Sequence, residues 1–143
     1  MFLLVKHVFI LALVIAFWEA SPVVTGISIG MSEVSVSVTN SLQGNLNLTI
    51  HCKSKDDDLG IHVLPFNGRY QWQFKPNIFG TTLFSCDLSM RDGSIGYDLY
   101  SYEKDRLRCP TECIWVAKTE GLVGLSQDAA FSTILVKWQR RAN

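Results

Sequence analysis

Alternating apolar and polar residues recur along most of the chain, and this pattern constrains the fold more than any other feature. Val34, Val36 and Val38 alternate with serines, and the segment from Leu46 to Cys52 alternates in the same way. Side chains of a β-strand point in turn to opposite faces, so a period of two is typical of strands with one buried face. Beyond the first twenty-odd residues, apolar positions at helical spacing never extend past two turns. The sequence therefore predicts an all-β chain.

Further strands are predicted at spacings of roughly 8 to 12 residues. They cover residues 61–64, 70–74, 81–88, 95–102, 107–109, 113–118 and 131–138. Asn67-Gly68, between the first two of these, is a dipeptide typical of a tight hairpin. Residues 121–130 fit a loop, a short helical turn or a strand. About eight short strands without an internal linker predict a small antiparallel β-sandwich, formed by one domain over residues 21–143.

The first twenty residues are typical of a secretory signal peptide. Lys6 precedes the apolar run from Val8 to Trp18, and small residues follow at Ala20 and Ser21. This run is short for a bilayer span, although a buried N-terminal helix or a signal anchor is an alternative. We predict cleavage after residue 20, or as late as residue 26. The mature protein is expected to be secreted and extracellular, without stable membrane insertion.

All four cysteines, Cys52, Cys86, Cys109 and Cys113, lie in the mature part. An even number of cysteines behind a leader predicts disulfides, and four cysteines allow three pairings. A bridge from Cys52 to Cys109 or Cys113 would close about 60 residues and stabilise by about 4 kcal/mol, against about 2 kcal/mol for Cys109 with Cys113. That difference does not select a pairing. A zinc site of His51 with Cys52, Cys109 and Cys113 is disfavoured because a C-x3-C pair is weak support and oxidised cysteines cannot bind zinc.

Charge and motif content argue against two large classes of function. The formal net charge is 0 and the pI is about 6.8, so the chain has no field suited to gripping phosphate backbones, and we predict no nucleic-acid partner. Gly26 to Gly30 matches the G-x-S-x-G pattern of hydrolases but lacks its strand, turn and helix context. The mature histidines, His51 and His62, lie on predicted strands without a recognisable nucleophile and acid. We therefore predict no enzyme activity and no cofactor.

Two polar features predict exposed positions. Asp56, Asp57 and Asp58 are consecutive carboxylates in the most charged stretch of the chain, and their mutual repulsion favours a solvated loop. A calcium site there would lack the bidentate glutamate of an EF-hand loop. Asn47 opens the only N-x-[ST] sequon, and the alternation places it opposite apolar Leu48. We expect Asn47 to face water and to carry a glycan.

Six segments together resemble the plant self-incompatibility protein family, the S-protein homologues. They are VSVTNSL (36–42), HCKSKDDDLG (51–60), YQWQF (70–74), TTLFSC (81–86), YDLY (97–100) and CPTECIW (109–115). The similarity spans nearly all of the mature chain, in the order and spacing of the family. It implies a small secreted β-sandwich with all four cysteines in two disulfides, often glycosylated, with no known enzymatic activity.

The same resemblance implies a ligand recognised by a cell-surface receptor, since the founding members resemble stigma ligands that meet a pollen receptor. Loops where family members differ or present charge are the candidate partner contacts, namely Asp56, Asp57, Asp58, Asn67, Arg91 and Asp92. One alternative is a carbohydrate-binding or cell-wall module with Tyr100, Tyr102 or Phe66 stacking on sugars. Another is a hydrolase or a hydrolase inhibitor. Trp72, Trp115 and Trp138 are predicted core residues.

Overall fold

The computed structural model describes residues 31–131 and 133–142, so the predicted signal peptide lies outside the described residues. The described residues form ten strands and one helix. The strands are β1 (Val34–Asn40), β2 (Leu48–Lys53), β3 (Asp58–Leu64), β4 (Arg69–Phe74), β5 (Leu83–Met90), β6 (Gly93–Ser101), β7 (Glu112–Lys118), β8 (Gly121–Gly124), β9 (Ile134–Lys137) and β10 (Gln139–Arg140), and the helix α1 is Tyr102–Arg108. No helix in these segments is long and apolar enough to cross a membrane.

The strands form two five-stranded sheets, which confirms the predicted all-β sandwich. The first sheet has the order β4-β1-β7-β8-β9 and the second has the order β10-β6-β5-β2-β3. Neighbouring strands are antiparallel except for β1 and β7, where Val36 pairs with Cys113 in parallel register. A parallel pair needs a long crossover, and here that connection contains five other strands and α1.

The core lies between the inward faces of the two sheets. Most of the alternating residues predicted to face inward are buried, including Val36 of β1, Ile50 of β2 and Leu88 of β5. Trp72 and Trp115 are core residues as predicted, and the Trp115 indole N–H donates to the Leu99 carbonyl at 2.9 Å.

The core prediction for Trp138 is only partly right. This side chain is half-buried and packs against the core. It follows β9 directly, where the chain passes to the second sheet, and its indole N–H donates to the Lys118 carbonyl at 2.7 Å. A chain crossing between sheets leaves one side of the ring in contact with water.

Two disulfides join the four cysteines in pairs. Cys52 on β2 lies directly opposite Cys86 on β5, with 4.0 Å between the Cα atoms, and the bridge is buried. Cys109 after α1 is bridged to Cys113 on β7, with 5.1 Å between the Cα atoms. The bridges of about 60 residues considered from sequence therefore do not form. One disulfide ties neighbouring strands of the second sheet, and the other ties α1 to the first sheet.

The tight hairpin predicted at Asn67-Gly68 is wrong, because β3 and β4 belong to different sheets. The dipeptide forms a corner between them. The Asn67 N–H donates to the Asn40 carbonyl at 2.8 Å, and the Asn40 N–H donates to the Gly68 carbonyl at 2.9 Å. Asn67 has a φ of 63°, a conformation that asparagine tolerates better than most residues. Asn67-Gly68 does form a turn, but this turn connects two strands of different sheets.

The strand predicted at residues 107–109 is also wrong, because Tyr102–Arg108 is helical. The segment contains good helix formers and lacks alternation. Buried Asp105 accepts hydrogen bonds from the Ser101 N–H and the Arg108 Nε, both at 2.8 Å, and Arg108 Nη1 donates to the Leu125 carbonyl at 2.6 Å. This buried ion pair holds α1 against the chain that follows β8. The undecided residues 121–130 contain β8 followed by turns.

Candidate recognition surface

Strand register divides the candidate partner contacts between opposite ends of the second sheet. Thr49, Ser89 and Ser94 lie side by side near one end, and Lys53 and Ser85 are paired near the other. We call the first the sequon end, defined by Asn47, Asn67, Arg91 and Asp92. We call the second the groove end, defined by residues 54–57, residues 75–82 and the beginning of α1. No single partner face therefore includes all the predicted contacts.

At the sequon end, Asn47 is exposed one residue before β2, as the alternation predicted. The turn between β5 and β6 carries a bidentate pair, in which Arg91 Nε and Nη2 donate to the two carboxylate oxygens of Asp92 at 2.9 and 3.0 Å. These hydrogen bonds lower the pKa of Asp92. Both side chains of the pair are exposed to water. A glycan on Asn47 would stand beside this turn.

At the groove end, a groove of about 1020 Å³ opens on the second sheet. Its floor includes Ser85, Asp87, Gly96 and Asp98 of β5 and β6, and its walls include the loops 54–57 and 75–82. Eight charged side chains line it, equally divided in sign: Lys53, Lys55, Lys75, Lys104, Asp56, Asp57, Asp87 and Asp98. The charges that line the groove therefore sum to zero.

Some of these charges are already engaged within the protein. Ser85 Oγ donates to a carboxylate oxygen of Asp98 at 2.6 Å, and Lys104 Nζ donates to the Asp98 carbonyl at 2.8 Å. Lys104 Nζ also lies 4.4 Å from the centroid of the Tyr97 ring, at cation–π distance. These contacts fix the side of the groove next to α1.

The three consecutive aspartates do not act alike. Asp58 begins β3, and one of its carboxylate oxygens accepts from the Gly60 N–H at 2.9 Å and bonds His51 Nε2 at 2.6 Å. The Gly60 hydrogen bond, followed by that of His51, lowers the pKa of Asp58. Asp56 and Asp57 are exposed on the preceding loop. The predicted solvated acidic loop thus consists of two exposed carboxylates that pair with no cation of the described residues and one that is held by hydrogen bonds.

Both histidines of the described residues, His51 and His62, have structural partners. His51 bonds Asp58, and the His62 ring stacks on Tyr70 with 3.8 Å between centroids while its Nε2 lies 2.7 Å from the Leu59 carbonyl. A general base in nucleophilic catalysis instead needs a hydroxyl or thiol within hydrogen-bond reach. These contacts favour a structural role for each imidazole.

The proposed sugar platform at Tyr100 is wrong, because that ring is only 1% exposed. A register shift between Phe84 and Ser85 leaves Leu99 without a direct partner on β5, and both Leu99 and Tyr100 face the core. Tyr100 packs edge-on to Phe74 with 4.8 Å between centroids, and burial raises the pKa of its hydroxyl to about 12. A β-bulge of this kind interrupts the alternation of a strand, so that two consecutive residues share one face.

The loop 75–82 is not among the partner contacts predicted from the sequence. Its tip exposes Ile78 and Phe79, whose side chains are 71% and 83% exposed. The signal was present in the sequence, because two large apolar residues stand between Asn77 and Gly80 in a segment without strand alternation. Lys75 and Lys104 of the adjoining groove were missed as well, since their proximity depends on the sheet topology.

Comparisons with known proteins agree with this architecture. The sequence profile of plant self-incompatibility protein S1 matches residues 35–138. S-protein homolog 5 of Arabidopsis thaliana is 43% identical over 94 residues, 66% of this chain and 72% of that protein. S-protein homolog 3 of the same plant is 36% identical over 106 residues, 72% of this chain and 71% of that protein.

A solved structure has the same fold. It represents SPH (Self-Incompatibility Protein Homologue) proteins, described as a widespread family of small, highly stable, secreted proteins from plants. The match has a TM-score of 0.60 at 18% sequence identity, and it covers 78% of this chain and 99% of the other.

Proposed function

Because the chain belongs to the plant self-incompatibility protein S1 family, we propose that it is a secreted, non-enzymatic signalling ligand recognised by a cell-surface receptor protein. The signal would act between pollen and pistil, or in another reproductive or developmental setting. Export removes the signal peptide, with the cut after residue 20 or as late as residue 26. The mature sandwich then presents its loops to the receptor.

The observation that carries this proposal is the groove end, where loops with exposed charged side chains stand on a disulfide-tied sheet. The Cys52–Cys86 disulfide joins two strands that line the groove. The groove residues Lys53 and Ser85 form the pair next to the disulfide in the register of β2 and β5. Loops fixed on a rigid frame lose little conformational entropy when they bind a partner. The sequon end, with Asn47 glycosylated, would face away from the receptor.

A carbohydrate-binding role has less support than receptor binding. Tyr100 is buried, and the remaining candidate rings, Tyr102 and Phe66, lie near different ends of the second sheet. Tyr102 and Phe66 therefore do not form one stacking platform, and this geometry favours a protein partner.

The test is saturable binding of the mature, oxidised protein to plant cell surfaces. Labelled protein is titrated onto pollen, pistil and seedling cells, with unlabelled protein as competitor and reduced, unfolded protein as the negative control. We expect at least one cell type to bind saturably, with loss of binding after the cells are treated with protease. Unsaturable binding to every cell type would refute receptor recognition.

Glycosylation is tested on protein secreted from plant cells. We expect Asn47→Gln to migrate faster in a denaturing gel than the wild type, by the same shift that peptide-N-glycosidase produces in the wild type. The reason is that Asn47 is exposed in the only sequon. Identical mobility of the variant and the wild type would contradict occupancy of the site.

A further inference from the structure

The tip of the loop 75–82 carries the two most exposed large apolar side chains of the described residues. Phe79 is 83% exposed and Ile78 is 71% exposed. Such exposure contributes nothing to folding, because apolar side chains stabilise the folded state only when they leave water. Aromatic side chains in this setting are typical anchors of protein–protein interfaces. The pair is therefore a candidate for burial by a partner.

The loop behind this pair is held in one conformation. The Asn77 side chain accepts from the Thr81 N–H at 3.0 Å and donates to Thr81 Oγ1 at 2.8 Å, and the Asn77 N–H donates to Thr82 Oγ1 at 2.8 Å. Gly80 closes the turn with a φ of 67°, and a Cβ there would lie 2.8 Å from the Tyr102 ring. A partner therefore meets side chains that are already positioned, which lowers the entropic cost of binding.

Charges of both signs border the loop along the groove. Lys53, Lys55 and Lys75 form no ion pair with another described residue, and the same holds for Asp56 and Asp57. Hot-spot residues are commonly surrounded by polar contacts that exclude water. A complementary partner would carry both charges around an apolar pocket. Anionic lipid complements only the lysines, and the balanced charge of this groove opposes adsorption to it.

We propose that Ile78 and Phe79 are the anchor of the receptor interface, inserted into an apolar pocket of a protein whose rim carries acidic and basic groups. This inference rests on the proposed receptor recognition and names its contact residues. The groove beside the anchor receives the charged rim. The contacts predicted at Asn67, Arg91 and Asp92 lie at the opposite end of the sheet and do not share this interface.

The experiment compares two double variants in the saturable cell-binding assay. Ile78→Ser/Phe79→Ser removes the anchor, and Val63→Ser/Phe66→Ser is the matched control because Val63 and Phe66 are also exposed, at 58% and 49%. We expect the anchor variant to bind at least about 30-fold more weakly and the control within about threefold of wild type. Equal urea midpoints for all three proteins establish that the change lies in the interface.

The outcomes separate the two proposals. If wild type binds saturably and the anchor variant binds within about threefold of it, the anchor is refuted while receptor recognition stands. If the wild type binds saturably to none of the cell types, both receptor recognition and the anchor are refuted. Binding of wild type to protein-free vesicles of phosphatidylcholine and phosphatidylserine, lost in the anchor variant, would replace the protein pocket with a lipid surface.

Discussion

Removing each disulfide separately tests whether their unequal loop lengths set their contributions to stability. Cys52–Cys86 spans 34 residues in sequence and Cys109–Cys113 spans 4. In the chain-entropy treatment, closing these loops restricts the unfolded chain by about 4 and about 2 kcal/mol respectively. We therefore expect the variant Cys52→Ala/Cys86→Ala to lose about 2 kcal/mol more than Cys109→Ala/Cys113→Ala.

The comparison is controlled because the two variants are matched in other respects. Each replaces two buried cysteines with alanine, so the loss of packed sulfur is similar and largely cancels in the difference. Urea unfolding followed by tryptophan fluorescence measures both. With a slope of about 2 kcal/mol per molar, the Cys52→Ala/Cys86→Ala midpoint should lie about 1 M below the other.

Equal midpoints for the two variants, or a lower midpoint for Cys109→Ala/Cys113→Ala, would refute the loop-entropy reasoning. The second result would assign the larger contribution to the attachment of α1, which ends beside Cys109. If the unfolding free energies of the two variants depend on urea concentration with different slopes, one variant has residual structure in its unfolded state. The loop-length reasoning would then fail for that variant.

Three further perturbations test other contacts of the frame. Buried Asn40 makes three hydrogen bonds to backbone groups, so Asn40→Leu should lower the free energy of unfolding by about 3 kcal/mol, measured by urea unfolding; an unchanged midpoint would contradict this. The folded-state pKa of Asp58 is lowered, so its contribution is present above the unfolded value of about 3.9 and is lost as the pH falls through the folded value. Asp58→Asn should therefore reduce the urea midpoint at neutral pH and leave it unchanged in strong acid, and an equal reduction at both would refute the assignment. Gly80→Ala should destabilise by about 1 to 2 kcal/mol through its positive φ and the contact with Tyr102, and a stabilised variant in the same assay would contradict a rigid loop.

Local pattern and tertiary structure account for different parts of the candidate site. Asn47 could be placed on the surface from sequence because its strand alternates, and alternation requires only the pleat of a single strand. The groove could not be placed, because Lys53 and Lys104 are far apart in sequence and meet only through the order of β2, β5 and β6. The burial of Tyr100 could not be derived from local pattern, because the register shift gives Leu99 and Tyr100 the same inward face.

The amino-acid sequence by itself determined most of the strand segments, most of their apolar faces and the residues that mark turns. These properties depend on neighbours within a few residues, since side-chain period and turn conformation are local. Only the tertiary structure decided which strands pair, that Asn67-Gly68 joins two sheets, and that Cys52 meets Cys86. Loop-closure entropy changes slowly with loop length, so alternative strand and cysteine pairings differ little in this free-energy term. The packing of the whole core selects among them.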